Sequence, residues 1–526
     1  MKNFLSTKAF FVTAIIFITF FVYGKAVNFA LLSLDDTSSI TGNLERISDI
    51  KKIPLLFTTN CYNEESPDIP YYRPILTLTF AIETILFGYN SKIYHFGNIY
   101  LFCFSLYLMY LLLVKLKFNE AISKFILLLL AVHPVISSTV AYVSPRSEIL
   151  TAIFIILSFI MLTDYLETKK IFFLVLYVLF YVIALFTKES ALTFFPLYFV
   201  FVFLFDYKIT FKEYIKLFII LLIPTIFYFV CRNAVVPQTD FLYFITNITT
   251  YTNFIKILIV YMSKILYPDY IHTILYNIHL SSKDITIAII FILLTIIIFY
   301  KKLANRKLII FSLLSVVTFL FPTVFLSENQ VFYHRLFLPL FFLSMILIQV
   351  IDNLLKKYSF LKKIFPFCVI VLIIIFSFKS FLNIDKYINS DIFWINMYKD
   401  APNYHLSCFG LSKQYYLAGQ YDKSLELINE ARKLRDLYEY KITACNILMT
   451  QDKYDEAKKI LFKLLEEKEA FEPVFYLSQI YYFEGDMKKA VEYAKQAYTI
   501  KENDELLLKH IKRLPGFDLN IHKLKE

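Results

Sequence analysis

Read from the N-terminus, the chain alternates long apolar runs with short polar joints. The runs fall at 9–25, 94–114, 121–141, 148–165, 171–187, 190–206, 212–231, 283–300, 307–326, 336–352 and 363–382. Each approaches the ~20 residues that a helix needs to cross a hydrocarbon layer of roughly 30 Å, so the pattern predicts eleven membrane spans. A twelfth candidate, 255–267, is short, carries Lys256 and Lys264 and ends at Pro268. It is expected to lie in the interface or to re-enter rather than to cross. Residues 31–93 form the first long polar segment, and the chain is expected back in the bilayer only at about Tyr94.

Beyond Asn383 the pattern changes to charged and amphipathic, and a period of 33 residues appears. Gly419, Asp452 and Gly485 align, as do Tyr421, Tyr454 and Met487; Ser424, Ala457 and Ala490; and Ala431, Leu464 and Ala497. Small residues where paired helices cross, with a turn residue between them, resemble the tetratricopeptide repeat. The expected organisation is a membrane domain at 1–382, a linker at 383–402, three repeats at 403–501 and a tail at 502–526. The fold class is all-α, a polytopic helical bundle carrying a C-terminal α-solenoid, a surface type that holds peptides or partner proteins.

Composition agrees: 58% of the 526 residues are hydrophobic, and the mean hydropathy is +0.58. A soluble fold is excluded. Eight Gly against 57 Phe and 40 Tyr reflect codon bias rather than function. The formal net charge of +11 comes from Lys and Arg clustered in short joints, where membrane orientation accounts for them, so no nucleic-acid partner is expected. With the N-terminus inside, Lys115, Lys117, Lys169, Lys170, Lys208, Lys212, Lys301, Lys302, Arg306, Lys307, Lys356, Lys357, Lys362 and Lys363 all fall on the cytoplasmic side. The odd span number then puts the repeats outside, on the face of the first loop. Lys2 and Lys8 precede an apolar run with no small-residue cleavage site before Lys25, which reads as an uncleaved anchor, with a signal peptide as the alternative. Six scattered Cys without a CxxC spacing indicate neither a disulfide framework nor a zinc site.

The polar residues on the outer face are the candidate chemistry. The first loop supplies Asp35, Asp36, Tyr72 and Arg73; later loops supply His133, Arg146, Glu148, Lys188, Glu189, Arg232, His334 and Arg335. Ionisable groups beside spans are costly to place and mark function, although each has a structural alternative: Lys188 as a helix cap, His133 as the close of a span, Arg73 and Arg146 in ion pairs, the two Asp as caps. Together, carboxylates and cations suit sugar transfer from a polyprenyl-phosphate donor. A carboxylate takes the acceptor hydroxyl's proton and cations hold the departing phosphate, with inversion at the anomeric carbon. Arg can engage two phosphate oxygens at once.

The motifs LDDTSSITGN (34–43), YYRPILTLTF (71–80), GYNSKIYHFGN (88–98), HPVISSTVAYVSPRSEILTA (133–152) and FTKESALTFFP (186–196), followed by YMSKILYPDY (261–270) and YHRLFLP (333–339), stand in an order that resembles the transmembrane and tetratricopeptide-repeat-containing O-mannosyltransferases and their bacterial relatives. The stretch from Trp394 to Pro402 before the repeats is similar too. The resemblance implies a glycosyltransferase C fold, a lipid-phosphate sugar donor such as a polyprenyl-phosphate hexose, and reaction on the extracytoplasmic or lumenal side; the leading expectation is transfer to a protein or glycan acceptor recruited by the repeats, in a bacterial inner or plasma membrane. The resemblance places the catalytic centre on Asp35 and Asp36; Arg73, Arg146, Lys188 and Arg335 are expected from their own chemistry as donor-phosphate ligands. Tyr72, His95, His133, Glu148, Glu189 and His334 are accessory candidates. Where relatives read HPVHTEAV, this chain has Ile136 and Ser138, so a His and a Glu are lost, and Pro145 and Arg146 stand where relatives have GR. A divalent metal bridging Asp35 or Asp36 to the phosphate stays open. The alternatives are an O-antigen polymerase or ligase, whose large loop comes late and is rich in Arg and His, and a non-enzymatic repeat scaffold, for which eleven spans are excessive. Transport fits less well, because charge avoids the span centres and no inverted repeat is evident.

Overall fold

The computed structural model describes residues 8–62, 71–205, 207, 209–236, 248–276, 278, 280–322, 332–467, 470–515 and 517. Among the described residues every apolar run is mainly helical, and there is no β-strand. The chain divides into two compact units, Met1–Phe393 and Trp394–Glu526.

In the first unit, seven helices are long and apolar enough to cross a membrane: Lys8–Asn28, Ser91–Lys115, Arg146–Thr168, Phe211–Val235, Ser282–Tyr300, Tyr333–Lys357 and Leu361–Tyr387. An eighth span results if Glu120–Ala131 and Pro134–Ala141, bent by 56° at their junction, count as one. The bend falls where Pro134 cannot donate into the helix ladder. The eleven-span expectation is thereby reduced on length. Ile171–Thr187, Glu189–Leu204 and Arg306–Leu320 are helical but shorter, about 22–26 Å at 1.5 Å per residue. The 255–267 candidate is part of a longer helix, Ile248–Leu266, which is not among the seven.

The first polar segment also differs from expectation, because it contains an apolar helix, Pro74–Phe87. Proline suits its first turn, and Gly88, at φ 75°, ends it. At 14 residues it is about 21 Å long, too short to cross, and it turns Leu76, Phe80, Ala81 and Thr84 inward.

Helix starts follow capping chemistry. Asn119 accepts from the N–H groups of Ala121 and Ile122 at 3.1 and 3.3 Å; Thr210 and Glu213 form a capping box; Ser281 accepts from Asp284 N–H at 3.0 Å. Each satisfies donors that the first turn leaves unpaired. Helix ends are less usual. Lys117, Lys169 and Lys302 take the left-handed conformation at φ 61°, 58° and 52°, where glycine is the common choice. The interior is aromatic: Phe159 meets Phe194, Tyr198, Phe201, Phe311 and Phe342 with ring centroids 4.8–6.2 Å apart.

In the second unit, helices begin at His405, Tyr438 and Phe471, and their partners at Tyr421, Tyr454 and Met487, so both series recur with the 33-residue period of the sequence. Gly419, Asp452 and Gly485, the aligned turn residues, all have positive φ, at 72°, 59° and 85°. The aligned small positions Ser424, Ala457 and Ala490 are fully buried, because a larger side chain there would hold the paired helices apart. Ser412 and Ser478 donate across the helix pairs to the carbonyls of Ser424 and Ala490 at 2.8 and 2.7 Å.

Candidate active site

Beyond the first span the chain makes a 3-10 turn at Gly24–Asn28 and then a short helix, Asp35–Ser39, with both acids in its first turn. Consecutive helical residues point about 100° apart, and the two carboxylates accordingly meet different surroundings. Asp36 is fully buried. Its carboxylate accepts from Leu32 N–H at 3.1 Å, from Ser144 N–H at 2.8 Å and from the Ser144 hydroxyl at 2.6 Å. Burial pushes its pKa up to about 7, although these bonds oppose the shift.

Asp35 is partly exposed. Its Oδ1 accepts from the Tyr62 hydroxyl at 3.1 Å, and its N–H donates to the Tyr142 hydroxyl at 3.1 Å. Burial raises its pKa, while Tyr62, Arg73, Tyr142 and Lys188 pull it down. Burial and the Asp35 charge hold Tyr62 protonated as a donor. Tyr142 is itself fixed by stacking on Tyr387, with centroids 6.2 Å apart.

The cations collect on the neighbouring turns. Arg73, just before the helix that opens at Pro74, grips Glu189 with Nε at 3.1 Å and Nη2 at 2.9 Å, a charge-assisted fork, and its guanidinium lies 4.1 Å from the Tyr71 ring centre. Lys188 is paired with the buried Glu148, and His334 Nε2 is 4.0 Å from the same carboxylate. The Lys188 pKa is lowered by burial and also by the charges of Arg73 and Arg335, so the three cations share one field. Tyr71 feels Arg73, Arg335, Glu189 and Asp35 together. Arg335 differs from the other two, because its half-buried guanidinium makes no hydrogen bond or ion pair with any described residue.

The structure therefore brings together Asp35, Asp36, Arg73, Glu148, Lys188, Glu189, His334 and Arg335. The remaining candidates are placed outside this cluster. Arg146, expected among the phosphate ligands, is fully buried and engaged by Asn98 Oδ1 at 2.6 Å, Glu83 at 2.7 Å, the Tyr94 carbonyl at 2.7 Å and Thr79 at 3.3 Å. All of its donor-bearing nitrogens are occupied, which corrects that expectation. Tyr72 donates to the Phe57 carbonyl at 2.8 Å and lies against Phe186 and Tyr228. His95 is buried beside Phe29. His133 caps the bent pair, with Nε2 3.1 Å from the Ile265 carbonyl. Arg232 closes the helix Phe211–Val235.

Sequence reasoning missed Tyr62, Tyr71, Tyr142 and Ser144, which hold or flank the acids, and Asn98 and Glu83, which hold Arg146. The motif around 133–152 contained Tyr142 and Ser144, but nothing in their spacing pointed to the first loop. Among the described residues no group of three or more His, Cys, Asp or Glu side chains is placed to hold a metal ion.

No protein-family model matches the chain. A stretch of 135 residues, 24% of this chain, is 31% identical to the Protein O-mannosyl-transferase TMTC1 of Homo sapiens, covering 15% of that protein. The Mus musculus protein of the same name is 30% identical over 135 residues, 24% of this chain and 14% of its own length. These matches establish a distant relationship over a small part of both proteins.

Proposed function

We propose that the chain is an integral membrane glycosyltransferase that moves a sugar from a polyprenyl-phosphate donor to a protein or glycan acceptor on the extracytoplasmic side. The observation that carries this reading is a partly exposed carboxylate, Asp35, in the field of a cation cluster whose Arg335 has no partner among the described residues. The name borne by the human and mouse relatives supports the same class. In the reaction, the acceptor hydroxyl attacks the anomeric carbon as Asp35 takes its proton. The C–O bond to the phosphate breaks with inversion, and the lipid phosphate leaves with the bonding electrons. Arg335 meets that oxygen directly, and Arg73 and Lys188 contribute from within their ion pairs.

Glu189 and Glu148 hold Arg73 and Lys188 in place and cancel part of their charge. One uncompensated cation suits a phosphodiester, which carries a single negative charge. The helical repeats recruit the acceptor, and the membrane is a bacterial inner or plasma membrane. The test incubates membranes carrying the wild type, Asp35→Asn and Asp36→Asn with a panel of radiolabelled polyprenyl-phosphate sugars. Transfer is expected to vanish in Asp35→Asn and to persist, weakened, in Asp36→Asn. Transfer that survives Asp35→Asn removes Asp35 as the base.

A further inference from the structure

A chain of contacts links the buried Arg146 to the acidic pair. Arg146 Nε donates to Asn98 Oδ1 at 2.6 Å. The Asn98 amide donates to the carbonyls of Tyr142 and Val143 at 2.9 and 3.1 Å. The turn so held presents Ser144, whose N–H and hydroxyl grip Asp36, and Tyr142, whose hydroxyl accepts the Asp35 N–H. At its far end Arg146 is anchored by Glu83, Thr79 and the Tyr94 carbonyl, over the face of Phe80 at 4.5 Å. Arg146, Asn98 and Asp36 are each fully buried. Gly97 makes the site possible, since a Cβ there would collide with the Glu83 carboxylate and crowd the Arg146 guanidinium.

We infer that Arg146 is a positioning residue: through Asn98 it sets the turn at 142–146, and through that turn it sets where Asp35 stands. The inference rests on the reading of Asp35 as the base. A buried ion pair is weak evidence of stability by itself, and fixing one geometry among alternatives is the use to which it is best suited. Asn98 suits the linking position because it offers an acceptor to the guanidinium and two donors to the turn at once. Asp36 belongs to this framework, and its place beside the base follows from chain connectivity.

The test uses the full-length protein in detergent. Arg146→Lys keeps the charge and loses the fork; Asn98→Asp keeps the acceptor for Arg146 and loses both bonds to the turn, so it carries the test if the first variant fails to fold. Amide hydrogen exchange is followed on peptides covering 32–39 and 142–147, with 405–417 as the control, alongside kcat and donor KM. Exchange is expected to speed up in both site peptides and to stay unchanged in the control. A base displaced by about 1 Å lowers kcat on the order of 100-fold, with donor KM held within about twofold. A raised KM with unchanged exchange would make Arg146 a donor ligand and overturn the inference. Faster exchange confined to 142–147 would overturn it as well, by showing that the turn does not control the acids. If no sugar donor is turned over by the wild type while both site peptides loosen, the proposed function fails and the positioning network stands.

Discussion

Asp35 and Asp36 are adjacent, yet the structure assigns them opposite sensitivities. Replacing Asp36 by Ala removes the acceptor for three donors: Leu32 N–H, Ser144 N–H and the Ser144 hydroxyl. Leu32 is almost wholly buried, and a buried donor left unpaired costs about 1–3 kcal/mol. With two backbone donors and one rotatable hydroxyl affected, the expected loss is about 3–5 kcal/mol. Asp35→Ala removes one bond to Tyr62 from a partly exposed carboxylate, worth about 0.5–1.5 kcal/mol. Linkage adds a pH signature. The folded state holds the Asp36 proton up to about 7, whereas an unfolded carboxylate loses it near 4. Between those values the folded state binds the extra proton, so the Asp36 contribution to stability falls as pH rises and levels off above 7. Asp36→Ala lacks that slope, and the gap between the two proteins is widest at the acid end. The assay is the rate of irreversible thermal inactivation and aggregation in detergent, the appropriate measure for a large membrane protein, taken at pH 5 and pH 8. Equal losses in the two variants, or a gap that widens with pH, would refute the reasoning.

Three further outcomes follow. Arg335→Ala would remove the proposed charge-assisted contact to the donor phosphate, worth about 1.5–3 kcal/mol, which predicts a donor KM raised roughly 10- to 100-fold, with partial rescue by Arg335→Lys; an unchanged KM excludes the phosphate contact. Gly97→Ala overpacks the Glu83 and Arg146 site at a cost of about 1–3 kcal/mol and is expected to shorten thermal survival, so wild-type survival would show that the helices part freely there. With Asp35 as the proposed base, active when deprotonated, and with burial raising its pKa above the ordinary 3.8, transfer should rise with pH along an acid limb centred above that value. A limb at or below it would show that the base is a solvated carboxylate.

Much of the scaffold was legible because it depends on local pattern. Apolar runs gave helices, and the aligned Gly419, Asp452 and Gly485 marked turns that need positive φ. The helix Pro74–Phe87 escaped notice because its apolar run is short and interrupted by Glu83, a residue that reads as solvated until Arg146 is found beside it. The acidic pair was visible as a position. The difference between their surroundings was not, since helical twist turns neighbouring side chains into different environments. The role of Arg146 was misread for a related reason. A guanidinium near a span is equally suited to phosphate or to carboxylate, and only the approach of Asn98 and Glu83, 48 and 63 residues away in sequence, decides which it meets.

The left-handed lysines at 117, 169 and 302 show two demands meeting at single residues. Cap geometry favours glycine, and an L-residue there costs about 1–2 kcal/mol; a membrane boundary favours a cation that cannot be drawn into hydrocarbon. In a chain with eight glycines among 526 residues, the second demand prevailed at all three helix ends. In a bilayer, an ammonium at such an end would oppose its helix sliding deeper into hydrocarbon. A helix able to slide by one turn would move 5.4 Å along its axis, farther than any hydrogen bond between the first loop and the 142–146 turn could follow. Resistance to such sliding at these caps would keep the first loop and the 142–146 turn in register.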